Sequence, residues 1–94
     1  MEEARIERRL KNKIKKMGGL AVKFTAPGMA GMPDRLILLP GGQVIFVELK
    51  KPGRKLEKLQ QKRAEMLRFL GFKVYCFDSN NAIDDFIGGL SSDF

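Results

Sequence analysis

The stretch RLILLPGGQVIFVELK, residues 35–50, constrains this chain more than any other. Two apolar runs flank Pro40-Gly41-Gly42, and Pro followed by Gly is the order that a type II turn prefers. The pattern predicts an antiparallel hairpin with strands at 35–39 and from Gln43 to Lys50. Asp34 lies six residues before Pro40 and Glu48 six after Gly42, so the pairing sets the two carboxylates about opposite each other. Glu48 and Lys50, two apart in an extended run, share a face. Taking such charges into an interior costs roughly several kcal/mol, and pairing them often fails to offset it. Either the strand simply emerges into solvent at this end, or the charges are there to do chemistry. Asp34 opposite Glu48 favours the second.

The rest of the chain reads around this hairpin. Ile6, Leu10, Ile14 and Met17 form one helical stripe from Glu2 to Met17, with Glu2 and Glu3 in the first turn, Lys15 and Lys16 in the last, and Gly18-Gly19 as the stop. LAVKFT at 20–25 reads as a first strand, and APGMAGMP at 26–33 as a loop. After Pro52-Gly53, residues Leu56, Leu59, Met66, Leu67 and Leu70 predict a second helix over Lys55 to Leu70, closed by Gly71. FKVYCF at 72–77 is a fourth strand, with Cys76 as core filling. Ser79 or Asn80 caps a last helix carrying Ile83, Phe86, Ile87 and Leu90. The order αβββαβα implies an α/β fold with a four-stranded mixed sheet, because a helix between strands three and four favours a parallel crossover.

Ninety-four residues predict a single domain, 1–94, with one modest core that a partner subunit would enlarge. The chain has no apolar run long enough to span a bilayer and no signal-peptide pattern, so a cytoplasmic location is expected, with no membrane partner. With one cysteine and no histidine, the usual zinc spacings are absent, and any metal must be held by oxygen. The net charge of +7 points to a polyanion, and all 18 Lys and Arg lie at or before Lys73, while the last 21 residues hold four aspartates. One side of the domain should therefore be basic, which suits a phosphate backbone; solvated helix faces are the plain alternative.

Two carboxylates at hydrogen-bonding distance repel unless a cation sits between them. Mg²⁺ takes one or two protein carboxylates and completes its shell with water and phosphate oxygens, which is what Asp34 and Glu48 can offer. Lys50 beside them can orient or deprotonate a nucleophile, or stabilise charge growing on phosphate.

GMPDR at 31–35 followed by FVELK at 46–50 resembles the PD-(D/E)XK nuclease motif, intact as Pro33-Asp34 and Glu48-Leu49-Lys50. The wider pattern from about Glu3 to Ser79 is similar to the VRR-NUC family. The resemblance implies a restriction-endonuclease-like αβββαβ core and a Mg²⁺- or Mn²⁺-dependent DNA endonuclease with no small-molecule cofactor. Asp34 and Glu48 then bind metal, the Leu49 backbone carbonyl adds a ligand, and Lys50 is catalytic. By the same resemblance Glu7 assists metal or water binding, with Glu3 as the competing register, although a glutamate there also suits an i,i+4 pair with Lys11. Gln60 corresponds to a recurrent glutamine beside the active site, with Gln61 adjacent. Lys23 is a phosphate contact, and Ala26 stands where relatives often carry a hydroxyl. Stand-alone members of the family resemble homodimeric enzymes that cut branched DNA such as Holliday junctions. The basic residues Lys51, Arg54, Lys55, Lys58, Lys62 and Arg63 follow the motif directly and can hold a phosphodiester backbone. The rival readings are a non-catalytic basic nucleic-acid-binding domain, and a nuclease of flaps, ends or RNA.

Overall fold

The structure, a computed structural model, describes residues 2–91, with side chains described for 4–90. Its elements are α1 (Glu2–Lys16), β1 (Leu20–Lys23), β2 (Arg35–Leu39), β3 (Gln43–Leu49), α2 (Lys58–Phe69), β4 (Lys73–Phe77) and α3 (Asn80–Ser91). The strands form one sheet in the order β1-β2-β3-β4, antiparallel across the first three and parallel between β3 and β4. The mixed sheet expected from the element order is therefore the sheet observed. Among the described residues no helix is long and apolar enough to cross a membrane.

Alternation along the strands divides the side chains between two faces. Ile37, Leu39, Ile45, Val47, Leu49 and Phe77 pack with Ile6, Leu10 and Ile14 of α1 and Ile83, Phe86 and Leu90 of α3. Leu36, Val44, Phe46 and Val74 point the other way and meet Ala64 and Leu67 of α2. The α1 stripe read from the sequence is thus the buried one, and α1 ends as expected at its glycine pair. There Gly18 N–H donates to Lys15 O and Gly19 N–H to Ile14 O, the paired bonds of a Schellman cap. The hairpin turns on Pro40, Gly41 and Gly42. Both glycines sit at positive φ, 86° and 78°, where a side chain would be strained.

Four expectations are corrected. α2 begins at Lys58, three residues later than its apolar pattern suggests, because Glu57 is extended (φ −73°, ψ 164°) and its N–H is taken by Gln60 Oε1 at 2.9 Å. Its buried residues are Ala64 and Leu67, with Leu56 partly buried against the same cluster, while Leu59 is 42% and Leu70 62% exposed, so only part of the leucine stripe is packed. Cys76 is exposed rather than core, since β4 is an edge strand with one side open. β1 ends at Lys23 instead of Thr25, although Phe24 N–H still reaches Asp34 O at 2.8 Å.

Candidate active site

The hairpin register pairs Arg35 with Val47, and one step further toward the open end brings Asp34 opposite Glu48. The count from the turn therefore holds: Asp34 N–H donates to Glu48 Oε2 at 3.4 Å. Glu48 is 7% exposed and is the buried charged side chain among the described residues. It backs onto a narrow crevice lined by Gly31, Pro33, Leu56, Gln60, Ala64 and Val74, which offers a carboxylate little solvation. Gly31 sits at φ +85° with its α-carbon against Leu59, and a β-carbon there would come within 2.6 Å of that side chain. The Gly/Pro loop is in this way seated on α2, and Arg63 Nε fastens it by donating to Ala30 O at 2.9 Å. Arg63 is thus a tether of the loop. Met29 N–H closes a turn on Ala26 O, a backbone bond that needs no hydroxyl at position 26.

Burial is the main cause that carries the Glu48 pKa from 4.5 to about 7; a hydrogen bond with the Asp34 carboxyl and its Coulomb repulsion add to the shift. Lys50 pulls in the opposite direction more weakly. Gln60 Nε2 donates to Glu48 Oε1. Because Gln60 Oε1 is held by the Glu57 N–H at the start of α2, its amide is oriented with the donor toward the carboxylate. Gln61 Nε2 instead donates to Leu56 O at 2.9 Å, so Gln60 is the glutamine brought to the pair.

Lys50 lies just beyond β3, with its N–H on Phe77 O at 2.9 Å, so the extended run continues and keeps Lys50 on the Glu48 face. The parallel register sets Cys76 beside Glu48, and one alternation further sets Asp78 beside Lys50. Asp78 Oδ2 accepts the Gly53 N–H at 3.3 Å and ties down the loop that follows Lys50. This carboxylate was missed in the sequence, where it counted only as part of the acidic end. Extending the β3–β4 alignment by two residues would have found it. Partial desolvation by the surrounding chain raises the Cys76 thiol pKa although the residue is exposed, and the neighbouring Glu48 charge adds to this.

Glu7 is not brought to the pair. Its Oε2 meets Arg35 Nη2 at 2.7 Å, and Arg35 alternates with Asp34 onto the α1 side of the sheet. Its partner is therefore Arg35 and not Lys11, while the side chain of Glu3 lies outside the described residues. Lys23 is exposed opposite Arg35, likewise away from Glu48. Lys51, Arg54, Lys55, Lys58 and Lys62 are exposed along the loop after Lys50 and the first turns of α2. Among the described residues, no set of three acidic, cysteine or histidine side chains converges as a metal cage. Two adjoining carboxylates at one strand end, one of them driven toward neutrality by burial, nevertheless fit an oxygen-liganded divalent cation completed by water and phosphate.

No protein-family model matches the chain. Over 81 residues it is 43% identical to a curated relative named "Putative nuclease p44" from Acyrthosiphon pisum secondary endosymbiont phage 1, covering 86% of this chain and 87% of that one. A solved structure described as "VRR_NUC domain" superposes with a TM-score of 0.88 at 31% identity, over 94% of this chain and 96% of the other. A second, described as "VRR_NUC domain protein", reaches 0.68 at 21% identity over 97% and 86%, a likeness of fold alone. The chain belongs to the VRR-NUC family of nucleases.

Proposed function

We propose that the chain is a divalent-metal-dependent DNA endonuclease whose working residues are Asp34, Glu48, the Leu49 carbonyl, Lys50 and Gln60. The observation that carries this reading is the Asp34–Glu48 juxtaposition, with Glu48 buried and its pKa raised to about 7. Asp34, Glu48 and the Leu49 carbonyl would hold Mg²⁺ or Mn²⁺, which when bound neutralises the carboxylates, polarises the scissile phosphate and makes water a better nucleophile. Gln60 holds the Glu48 carboxylate in one orientation from the start of α2. Lys50 presents its ammonium on the same face, toward the oxygens on which charge grows as the P–O bond breaks. In hydrolysis, water oxygen bonds to phosphorus, one bridging oxygen leaves, and a proton passes to that oxygen, giving phosphate and hydroxyl ends. The exposed Lys51, Arg54, Lys55, Lys58 and Lys62 supply sequence-independent contacts to the backbone being cut.

The finer reading is cleavage of branched DNA by a homodimer. Each chain carries one Asp34–Glu48 pair, so symmetric cutting of two strands calls for two chains related by a two-fold axis. Nicking of synthetic duplex, flap, four-way-junction and RNA substrates at matched salt, with Mg²⁺ or Mn²⁺, tests both readings. Asp34→Asn and Lys50→Ala are expected to lower cutting by about a hundredfold or more, the scale of losing one preorganised electrostatic contact. Unchanged cutting by Asp34→Asn would assign the activity to a contaminant and leave a binding domain. Substantial cutting by Lys50→Arg marks Lys50 as a fixed charge; its loss marks a proton carrier. A chain that sediments as a monomer at working concentration removes the junction-cutting version.

A further inference from the structure

A second concave basic surface lies away from Glu48, on the outer side of α1. Arg5, Arg8, Arg9, Asn12, Lys13 and Lys16 follow one helical stripe, and with Asn80 at the start of α3 they line a groove of about 410 Å³. Among the described residues no carboxylate lines it. Arg9 is the fixed member, its Nε and Nη2 donating to Asp84 Oδ1 and Oδ2 at 2.9 and 2.8 Å, which braces α1 against α3. Lys13 lies close enough to Asp84 to help hold that carboxyl acidic, though the Arg9 hydrogen bond is the larger cause. Arg5, Arg8 and Lys16 are exposed and make no ion pair among the described residues. They contribute nothing visible to packing, and their mutual repulsion is uncompensated within the described chain.

Three features set this groove apart from an ordinary solvated helix face. It is concave, no described acidic side chain lines it, and the helix that carries its cations is braced against α3 by the bidentate Arg9–Asp84 pair. From Arg5 to Lys16 the stripe runs about 16 Å at 1.5 Å per residue, against one phosphate per about 3.4 Å of axis on each DNA strand. That length matches several successive phosphates. α1 covers the sheet face opposite the one that carries Glu48, so the groove and the Asp34–Glu48 pair belong to different sides of the sheet.

We propose that the α1 groove is a second binding site for DNA backbone, taking a stretch of DNA other than the one being cut. The proposal rests on the nuclease reading of Asp34 and Glu48 and adds a division of labour: α1 holds, the strand ends cut.

The test uses the full chain, a labelled synthetic four-way DNA junction and a duplex of the same sequence, with binding measured across a salt series. Arg5→Gln/Arg8→Gln/Lys16→Gln is expected to weaken junction binding about tenfold or more and to lower the slope of log affinity against log salt by about 2 to 3. Cutting at saturating DNA stays at the wild-type level. Lys11→Gln/Lys15→Gln/Lys73→Gln removes the same net charge from positions outside the groove lining, two of them elsewhere on α1 and one on β4, and should leave most of the slope. Arg8→Gln alone, expected to lower the slope by about 1, serves if the triple variant does not fold. An unchanged slope in the Arg5/Arg8/Lys16 variants, or an equal fall in both triples, overturns the proposal. So does binding to anionic lipid vesicles that depends on Arg5, Arg8 and Lys16 while DNA affinity does not. Wild type that neither binds nor cuts DNA sinks the nuclease reading itself, whereas wild type that cuts with the Arg5/Arg8/Lys16 variants unaltered in binding sinks the second site alone.

Discussion

On the α1–α3 face of the sheet, twelve buried apolar side chains among the described residues form one continuous cluster, whereas the α2 face buries four. Polar contacts on the thick face run along its rim, as in Arg9–Asp84 and Glu7–Arg35. On the thin face a carboxylate is buried, held by an amide from the helix above it and repelled by another carboxylate beside it. Burying Glu48 without a cation is unfavourable. A small domain can carry such a group because its stability is gathered on the other side of the sheet.

The largest expected break in this contrast is on the thick side. Ile14 is fully buried there, and Ile14→Ala should destabilise the fold by about 2–5 kcal/mol in denaturant unfolding. On the thin side, Gln60→Ala should cut activity by about 10- to 100-fold, as loss of a partner that orients a metal-binding carboxylate does, with a much smaller change in unfolding free energy. A fold that collapses with Gln60→Ala would show that the thin face is structural after all.

Acidity sharpens the comparison next. Folded Glu48 has a pKa of about 7 against an ordinary 4.5, so between those values the native chain binds more protons than the unfolded one. Stability without divalent cations should therefore be highest below about pH 4.5 from this group and decline as pH rises to about 7. Melting temperatures across that window, compared between wild type and Glu48→Gln, check the sign: the variant should lack this decline. Added Mg²⁺ above pH 7 should raise the wild-type melting temperature and leave Asp34→Asn unmoved. The smallest effect belongs to Leu70→Ala, within about 0.5 kcal/mol, because that leucine is 62% exposed.

Much of this was legible in the residues. The α1 stripe, the hairpin and the position of Asp34 opposite Glu48 follow from strict periods and a turn of fixed chemistry. α2 was harder to read because its leucines do not share one packed face: Leu67 is buried beside a small residue, Ala64, while Leu59 and Leu70 are exposed. Its start is decided by a side-chain bond from Gln60 to the backbone of Glu57, which no periodicity reports. The partner of Glu7 is hidden in the sequence for a related reason: Arg35 pairs with it on the α1 face, and only the alternation of β2 tells which side Arg35 takes. Cys76 looked like core because its neighbours are apolar, yet β4 has an open edge.

The equal arms of the hairpin also bear on how this protein can change length. Six positions separate Asp34 from Pro40 and six separate Gly42 from Glu48. One residue inserted within either arm, without a bulge to absorb it, would turn its carboxylate to the opposite side of the sheet and part the pair. Residues added at the glycine tip would lengthen the loop and leave both arms in step. Insertions between strands two and three of active relatives should accordingly collect at the tip and spare the arms.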